Sequence, residues 1–241
     1  MLDLFNVGFV GAAGAGSGEW DVDDEFTYAS QGDFDTAYPT SAPAVLRGNP
    51  TNDTIYWNFS GATSSNQQFL THDLMGATID DTAWVLRQII NPTTVTQATS
   101  PFNIGIHFGI SSVTTQGGES QDYIGTSAEA TSSTTPKYYG YEVDSAGLNL
   151  PSTGGGQAFS TTFNTTKYWN EIIRTTATNF TTELFSDEWT TSTELESVTV
   201  PSTVINLRYW CNKWYDNANN GQLEGNIDQP LQFADGVTVA P

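Results

Sequence analysis

Basic residues are nearly missing from this 241-residue chain, which carries 7 Lys and Arg against 27 Asp and Glu for a net charge of −20. Nothing in that balance could neutralise a run of phosphates, so nucleic acid is excluded as a partner. Cysteine is nearly missing too. The single Cys211 forbids an intrachain disulfide. Lying between Trp210 and Asn212, it reads as a small buried hydrophobe, with an intermolecular disulfide as the other reading. His72 and His107 are the only histidines. They stand about 35 residues apart and far from the cysteine, which argues against a zinc site or a catalytic triad. No apolar run reaches the roughly 20 residues that a membrane-spanning helix needs. Long helical periodicity and internal repeats are also absent.

What is present is polar without being highly charged. Only 14% of residues are charged, so the acidic excess comes from scarce bases rather than from a flood of acids. The 35 threonines and 20 serines supply most of the polar surface, and β-branched Thr suits exposed strand faces. The composition resembles secreted or virion-surface β proteins more than a cytosolic enzyme. The net charge of −20 favours solubility at high concentration, or Ca²⁺ or salt in the surroundings.

The first twenty residues, MLDLFNVGFVGAAGAGSGEW, raise a separate question. A secretion signal needs a positive start and an unbroken apolar stretch, but this segment has no Lys or Arg and is interrupted by Asp3 and Asn6. The apolar part stops at Gly11 and passes into the linker composition Ala-Ala-Gly-Ala-Gly-Ser-Gly. We therefore expect residues 1–19 to be an apolar arm (Leu2, Leu4, Phe5, Val7, Phe9, Val10) on a Gly-rich tether, docked on a neighbouring subunit. A loose tail is the plainer reading.

From Trp20 to the end the text is strand, turn, strand. Short β-branched and aromatic runs occur at 54–59, 83–90, 122–125, 137–143, 168–175, 180–186, 194–200, 204–210 and 226–233. In the run 102–110, Phe102, Ile104, Ile106, Phe108 and Ile110 share one face while the other face is small or polar. One side of that strand is expected to meet a core and the other to meet water or a ligand. Asn91-Pro92 is expected to end the 83–90 strand and Pro201 the 194–200 strand. Residues 177–179 and 187–189 read as turns. About a dozen strands at this spacing imply an all-β fold, a two-sheet antiparallel sandwich over residues 20–241.

Several pieces then line up in order: Asp21–Phe26, Asp81–Arg87, Gly105–Ser111, Asn170–Ala177 followed by Glu183–Asp187, and Gly225–Asp228. Their order and spacing resemble the concanavalin A-like lectin/glucanase superfamily, especially LamG-like modules of surface and virion proteins. The resemblance covers roughly Trp20 to Val239. It implies a jelly roll whose first and last strands are neighbours. That fold hosts lectins, glycosidases and structural modules, so function has to be argued from the site.

The glycosidases of the superfamily carry E-x-D-x-x-E on one strand. Here Glu142 and Asp144 fit but position 147 is glycine; Glu194 and Glu196 fail likewise, with threonine at 199. One catalytic carboxylate is missing in each case, so these acids read as solvated strand-face residues and no catalytic residue is expected. His107 reads as a residue on the non-core face of its strand.

Asp21, Asp23 and Asp24 cluster where the fold begins and Asp228 lies where it ends. Converging hard oxygen ligands would suit a structural Ca²⁺, although acidic runs are commonly just solvated. Residues 214–221 form an aromatic and amide-rich stretch, read here as a loop. Trp214, Tyr215, Asp216, Asn217 and Asn219 could stack on a sugar and hydrogen-bond its edge; the bland reading is that the two aromatics pack on the core edge. Asn52, Asn58, Asn164 and Asn179 begin glycosylation sequons that matter only in a glycosylating host.

Together these readings favour a non-enzymatic surface module of a virion or extracellular appendage, held to other protein subunits through its arm. The alternative is a lectin-like module for a cell-surface glycan, and a third reading, a glycoside hydrolase or lyase, is disfavoured by the broken motif. No cofactor is required beyond the candidate Ca²⁺, and no membrane span is expected.

Overall fold

In the computed structural model, residues 19–41, 43–60, 68–96, 103–114, 122–131, 136–143, 158–200, 203–216 and 221–241 are described. The apolar arm falls before the first of these, so its expected docking lies outside the described residues. Fourteen strands and one short helix are described, and they form two antiparallel sheets.

The six-stranded sheet has the order β4-β13-β6-β7-β8-β9. Its members are β4 (Gln68–Asp73), β13 (Tyr209–Asp216), β6 (Asn103–Ser111), β7 (Tyr123–Thr131), β8 (Lys137–Val143) and β9 (Ala158–Thr162). The eight-stranded sheet has the order β12-β11-β10-β5-β14-β3-β2, with β1 also paired to β14. Its strands are β12 (Ser192–Thr199), β11 (Asn179–Phe185), β10 (Tyr168–Thr176), β5 (Trp84–Thr96), β14 (Gln222–Asp235), β3 (Thr54–Ser60), β2 (Leu46–Asn49) and β1 (Val22–Asp24).

Alternation along the strands drives the sandwich. Ile106, Phe108 and Ile110 of β6 point inward with Ile124 and Ala128 of β7. They meet Leu86 and Ile90 of β5, Ile172 of β10 and Ile227 of β14 in one continuous core. Each such side chain contributes about 1.5–3 kcal/mol when fully buried.

A polar seam crosses that core. The Trp210 indole N–H donates to Gln88 Oε1 at 3.0 Å, and Gln88 Nε2 donates to Asn170 Oδ1 at 2.9 Å. The Thr126 hydroxyl reaches Asn170 Oδ1 at 3.1 Å and the Thr182 hydroxyl at 2.6 Å. Asn170 Nδ2 donates to Thr182 Oγ1 and to the Glu183 carbonyl. The seam therefore joins β13 and β7 of one sheet to β5, β10 and β11 of the other.

First and last strands are neighbours, as the resemblance implied: Val22, Asp23 and Asp24 stand opposite Phe233, Gln232 and Leu231. β14 pairs with β3 through residues 222–228 and with β1 beyond a register break at 228–232.

Three local expectations need correction. β5 does not stop at Asn91-Pro92 but runs to Thr96. Its pairing to β10 ends at Ile90, and a register shift in β14 lies opposite Pro92, so the missing proline N–H is tolerated at a bulge. Residues 204–208 are not strand. Asn206 takes φ of 58°, and the segment is tied by Ile205 N–H to Asp122 and Asn206 N–H to Asp81. A helix, α1 (Gln31–Ala37), was not legible from periodicity. Ser30 caps it by accepting the Asp33 N–H. Its Phe34 lies so close over Gly48 that a Cβ there would sit 2.1 Å from the ring.

Candidate functional site

The outward face of the six-stranded sheet gathers the protein's polar and aromatic chemistry. In antiparallel pairing, directly opposed residues share a face. One row runs Phe69, Lys213, His107, Ser127, Tyr139 across β4, β13, β6, β7 and β8. The next row carries Tyr215, Gly105, Glu129 and Lys137. His107 faces away from the core, as the alternation of β6 predicts.

Glycines shape this face. Gly109 and Gly125 are directly opposed, and β6 and β7 approach so closely that a Cβ on Gly109 would lie 2.1 Å from the Ile124 carbonyl oxygen. The Tyr123 ring lies over Gly125 within 2.8 Å of where a Cβ would stand. From there its hydroxyl donates to the Cys211 carbonyl of β13 at 3.3 Å. Tyr123, Phe69 and Cys211 form a small buried cluster there, so Cys211 is the small buried hydrophobe expected. The Tyr123 ring meets the His107 ring edge-on, 6.3 Å between centroids.

Burial divides the face. His107 (1% exposed), Ser127 and Tyr123 are buried, whereas Glu129, Lys137 and Tyr139 are half-buried. The accessible part is thus the β7–β8 side. Ser127 Oγ lies 3.5 Å from the Glu129 carboxylate. Burial, and secondarily the Glu129 charge, push the Tyr139 phenol above its ordinary pKa. Tyr139 is therefore a neutral hydrogen-bond donor at physiological pH. The phenol of Tyr139, the carboxylate of Glu129 and the ammonium of Lys137, half-buried on one face, can read the donors and acceptors of a sugar edge. The same groups can exchange protons.

The sequence-expected site residues land in different places. Trp214, Tyr215 and Asp216 are strand rather than loop, at the end of β13. Trp214 pairs with Ile106 on the inner side and Tyr215 with Gly105 on the outer side. Their side chains, and Asn217 and Asn219 altogether, lie outside the described residues. Glu142 belongs to β8 and Asp144 also lies outside. Glu194 and Glu196 are not solvated. Glu196 is buried and accepts the Gly140 N–H at 2.6 Å, and Glu194 accepts from Thr161 N–H and Oγ1 at 3.0 Å. Both acids tie β12 to the opposite sheet. His72 faces inward and stacks on Tyr38, 4.5 Å between centroids.

The aspartates proposed for Ca²⁺ do not converge. Asp21 accepts the Asp235 N–H and Asp23 accepts Gln232 Nε2. Asp24 takes both the Tyr28 and Tyr38 hydroxyls, and Asp228 takes Lys167 and Asn91. Among the described residues no group of three or more His, Cys, Asp or Glu is placed to hold a metal. Of the sequons, Asn52, Asn58 and Asn164 are exposed, while Asn179 is half-buried at the β10–β11 turn. Among the described residues no helix is long and apolar enough to cross a membrane.

No protein-family model matches this chain, and no curated protein matches it in sequence. Solved structures do. A Mycobacterium abscessus protein assigned as a beta-glucanase is similar at 9% identity and a TM-score of 0.56, over 90% of this chain and 100% of that one. Alginate lyase Aly36B is similar at 10% identity and 0.55, over 90% and 98%. A legume lectin-like domain from Entamoeba histolytica is similar at 10% identity and 0.53, over 89% and 96%. The chain has the concanavalin A-like jelly-roll fold that these proteins share. One sequence-based expectation falls here. The broken E-x-D-x-x-E motif was read as excluding an enzyme, yet alginate lyases are among the structures that share the fold, so the missing motif excludes nothing.

Proposed function

We propose that this chain is a carbohydrate-binding protein that takes a glycan on the outward face of its six-stranded sheet. The observation that carries the reading is the half-buried group Tyr139, Glu129 and Lys137 on the β7–β8 side of that face. The names of its structural neighbours, a lectin-like domain, a beta-glucanase and an alginate lyase, support a saccharide as the ligand. Tyr139, half-buried and uncharged, supplies an aromatic face for a sugar ring.

Retention of the full chain on a glycan array tests this, with Tyr139→Ala beside Trp189→Ala. Trp189 lies on the other sheet's outer side, 4.9 Å from the Arg87 guanidinium. The reading expects Tyr139→Ala to lose retention and Trp189→Ala to keep it; equal retention by all three proteins overturns it. Measuring new reducing or unsaturated ends in the same mixtures shows whether the bound glycan is also cleaved.

We place the module on a virion or extracellular surface, joined to other subunits through residues 1–18. The net charge of −20 and the Thr/Ser-rich surface support that placement. Light scattering of the full chain and of a version lacking residues 1–18 tests it. An assembly that dissociates into folded monomers on truncation supports the anchor; two monomers overturn it.

A further inference from the structure

Residues 1–18 join the sandwich at one point, and the structure shows how that point is held. Backbone pairing secures the chain from Asp21, whose N–H donates to the Phe233 carbonyl at 2.9 Å, and β1 continues the pairing along β14. One residue earlier the hold passes to a side chain. The half-buried Trp20 ring lies 5.5 Å from the Arg87 guanidinium. Arg87 stands on the outward side of β5, midway across the eight-stranded sheet. Its Nε donates to Glu171 of the neighbouring β10 at 2.6 Å, and Glu171 is itself buried.

A second tryptophan meets the same cation. Trp189, in the turn between β11 and β12, is half-buried with its ring 4.9 Å from the guanidinium. Its backbone takes φ of 53°, a left-handed conformation that glycine or asparagine ordinarily fills and a bulky side chain rarely does. Asp187 keeps the turn in that shape, accepting the Thr190 hydroxyl at 2.8 Å and the Thr191 N–H at 2.7 Å. The Trp189 indole N–H donates to the Asn170 carbonyl at 3.4 Å. A tryptophan held in a costly backbone conformation is held there for the sake of its ring.

We propose that Trp20 and Trp189, stacked on Arg87, are a mount that fixes where and in which direction residues 1–18 leave the outward side of the eight-stranded sheet, toward a second copy of this chain. This rests on the assembly reading of residues 1–18 above and names the residues that position them. Copies of a chain with net charge −20 repel one another. Their contact has to be made by a segment poor in charge, and residues 1–18 carry a single acid, Asp3, and no base. Releasing Trp20 frees backbone that association must order again, which weakens association by about tenfold. Trp20, Arg87 and Trp189 are thus positioning residues that act through residues 1–18.

The test is sedimentation equilibrium of the full chain, the chain lacking residues 1–18, Trp20→Ala, Trp20→Tyr and Trp189→Ala. It is run well below the melting midpoint of each protein, so that all are folded. The inference expects the full chain to associate and the truncated chain to be a monomer. It expects Trp20→Ala and Trp189→Ala to associate about tenfold more weakly, and Trp20→Tyr, which keeps a ring over the guanidinium, to stay within about threefold of the full chain. A stack that served stability alone would lower the melting midpoint and leave association of the folded chain unchanged. That result overturns the inference and leaves the assembly reading standing. Weakening that Trp20→Tyr shares in full also overturns it. A full chain that stays monomeric at every concentration overturns both.

Discussion

The two sheets share a core and differ in what they do with their outer sides. On the eight-stranded sheet, charges are answered within the protein: Arg87 pairs with Glu171 and lies within 5.5 Å of the Trp20 ring and 4.9 Å of the Trp189 ring. That side is finished. On the six-stranded sheet the central strands carry opposed glycines, a tyrosine laid across them and a buried imidazole in register with lysine and serine. His107 is 1% exposed there, between the glycines of β6. The difference is what the proposed glycan-binding face rests on.

The comparison can be broken by substitution. Gly109→Val forces a Cβ into the Ile124 carbonyl of β7. It is expected to cost about 3 kcal/mol or more, and the melting temperature to fall by roughly 6–12 °C. The change Thr181→Val on the outward side of β11 is expected to stay within about 0.5 kcal/mol. Equal losses would mean that β6 and β7 are not unusually close. Next in size, Asn170→Leu leaves Gln88, Thr126 and Thr182 without their shared partner. Chemical denaturation should show a loss of about 2–3 kcal/mol.

A smaller effect belongs to the eight-stranded side. The Arg47 guanidinium holds the Asp35 carboxyl below its usual pKa. A depressed folded pKa gives stability that is present above the unfolded value of about 3.9 and lost as pH falls through the folded value. Arg47→Gln is therefore expected to cost roughly 0.5 kcal/mol at neutral pH, since the pair is about one-third exposed, and nothing in strong acid. Melting curves across pH check this; a difference that grows in acid would contradict the sign. The smallest expected effect is zero: chelation with EDTA leaves the melting temperature unchanged, because each of Asp21, Asp23, Asp24 and Asp228 already has a protein donor.

Much of the sandwich was legible in the sequence because burial writes a period of two into each strand. Ile106, Phe108 and Ile110 showed both the strand and its two unlike faces. The adjacency of first and last strands came from the family resemblance. The site was less legible. Alternation placed His107 on the non-core side, but which residues would stand beside it depends on pairing register between strands distant in sequence. His107 meets Ser127 twenty positions on and position 213 on β13, and no local pattern encodes that. Trp214 looked like loop because Asn217 to Gly221 follow it, while the strand continues to Asp216. Helix α1 escaped because seven residues hold too few turns for a period to show. Glu196 looked solvated because a carboxylate within strand text gives no sign of the Gly140 N–H waiting across the sandwich.

The polar seam has a consequence beyond its contribution to stability. Two apolar layers in contact can slide and rotate over one another at little cost, since hydrophobic contact has no preferred direction. Hydrogen bonds do. The chain Trp210–Gln88–Asn170–Thr126–Thr182 pins the layers at one point, as a dowel fixes two boards. Take the dowel out with apolar residues of matching shape and the boards stay glued, but their alignment spreads over a range. The loss then shows as broadened backbone resonances along β6 and β7, and as weakened binding on a face that no substitution has touched.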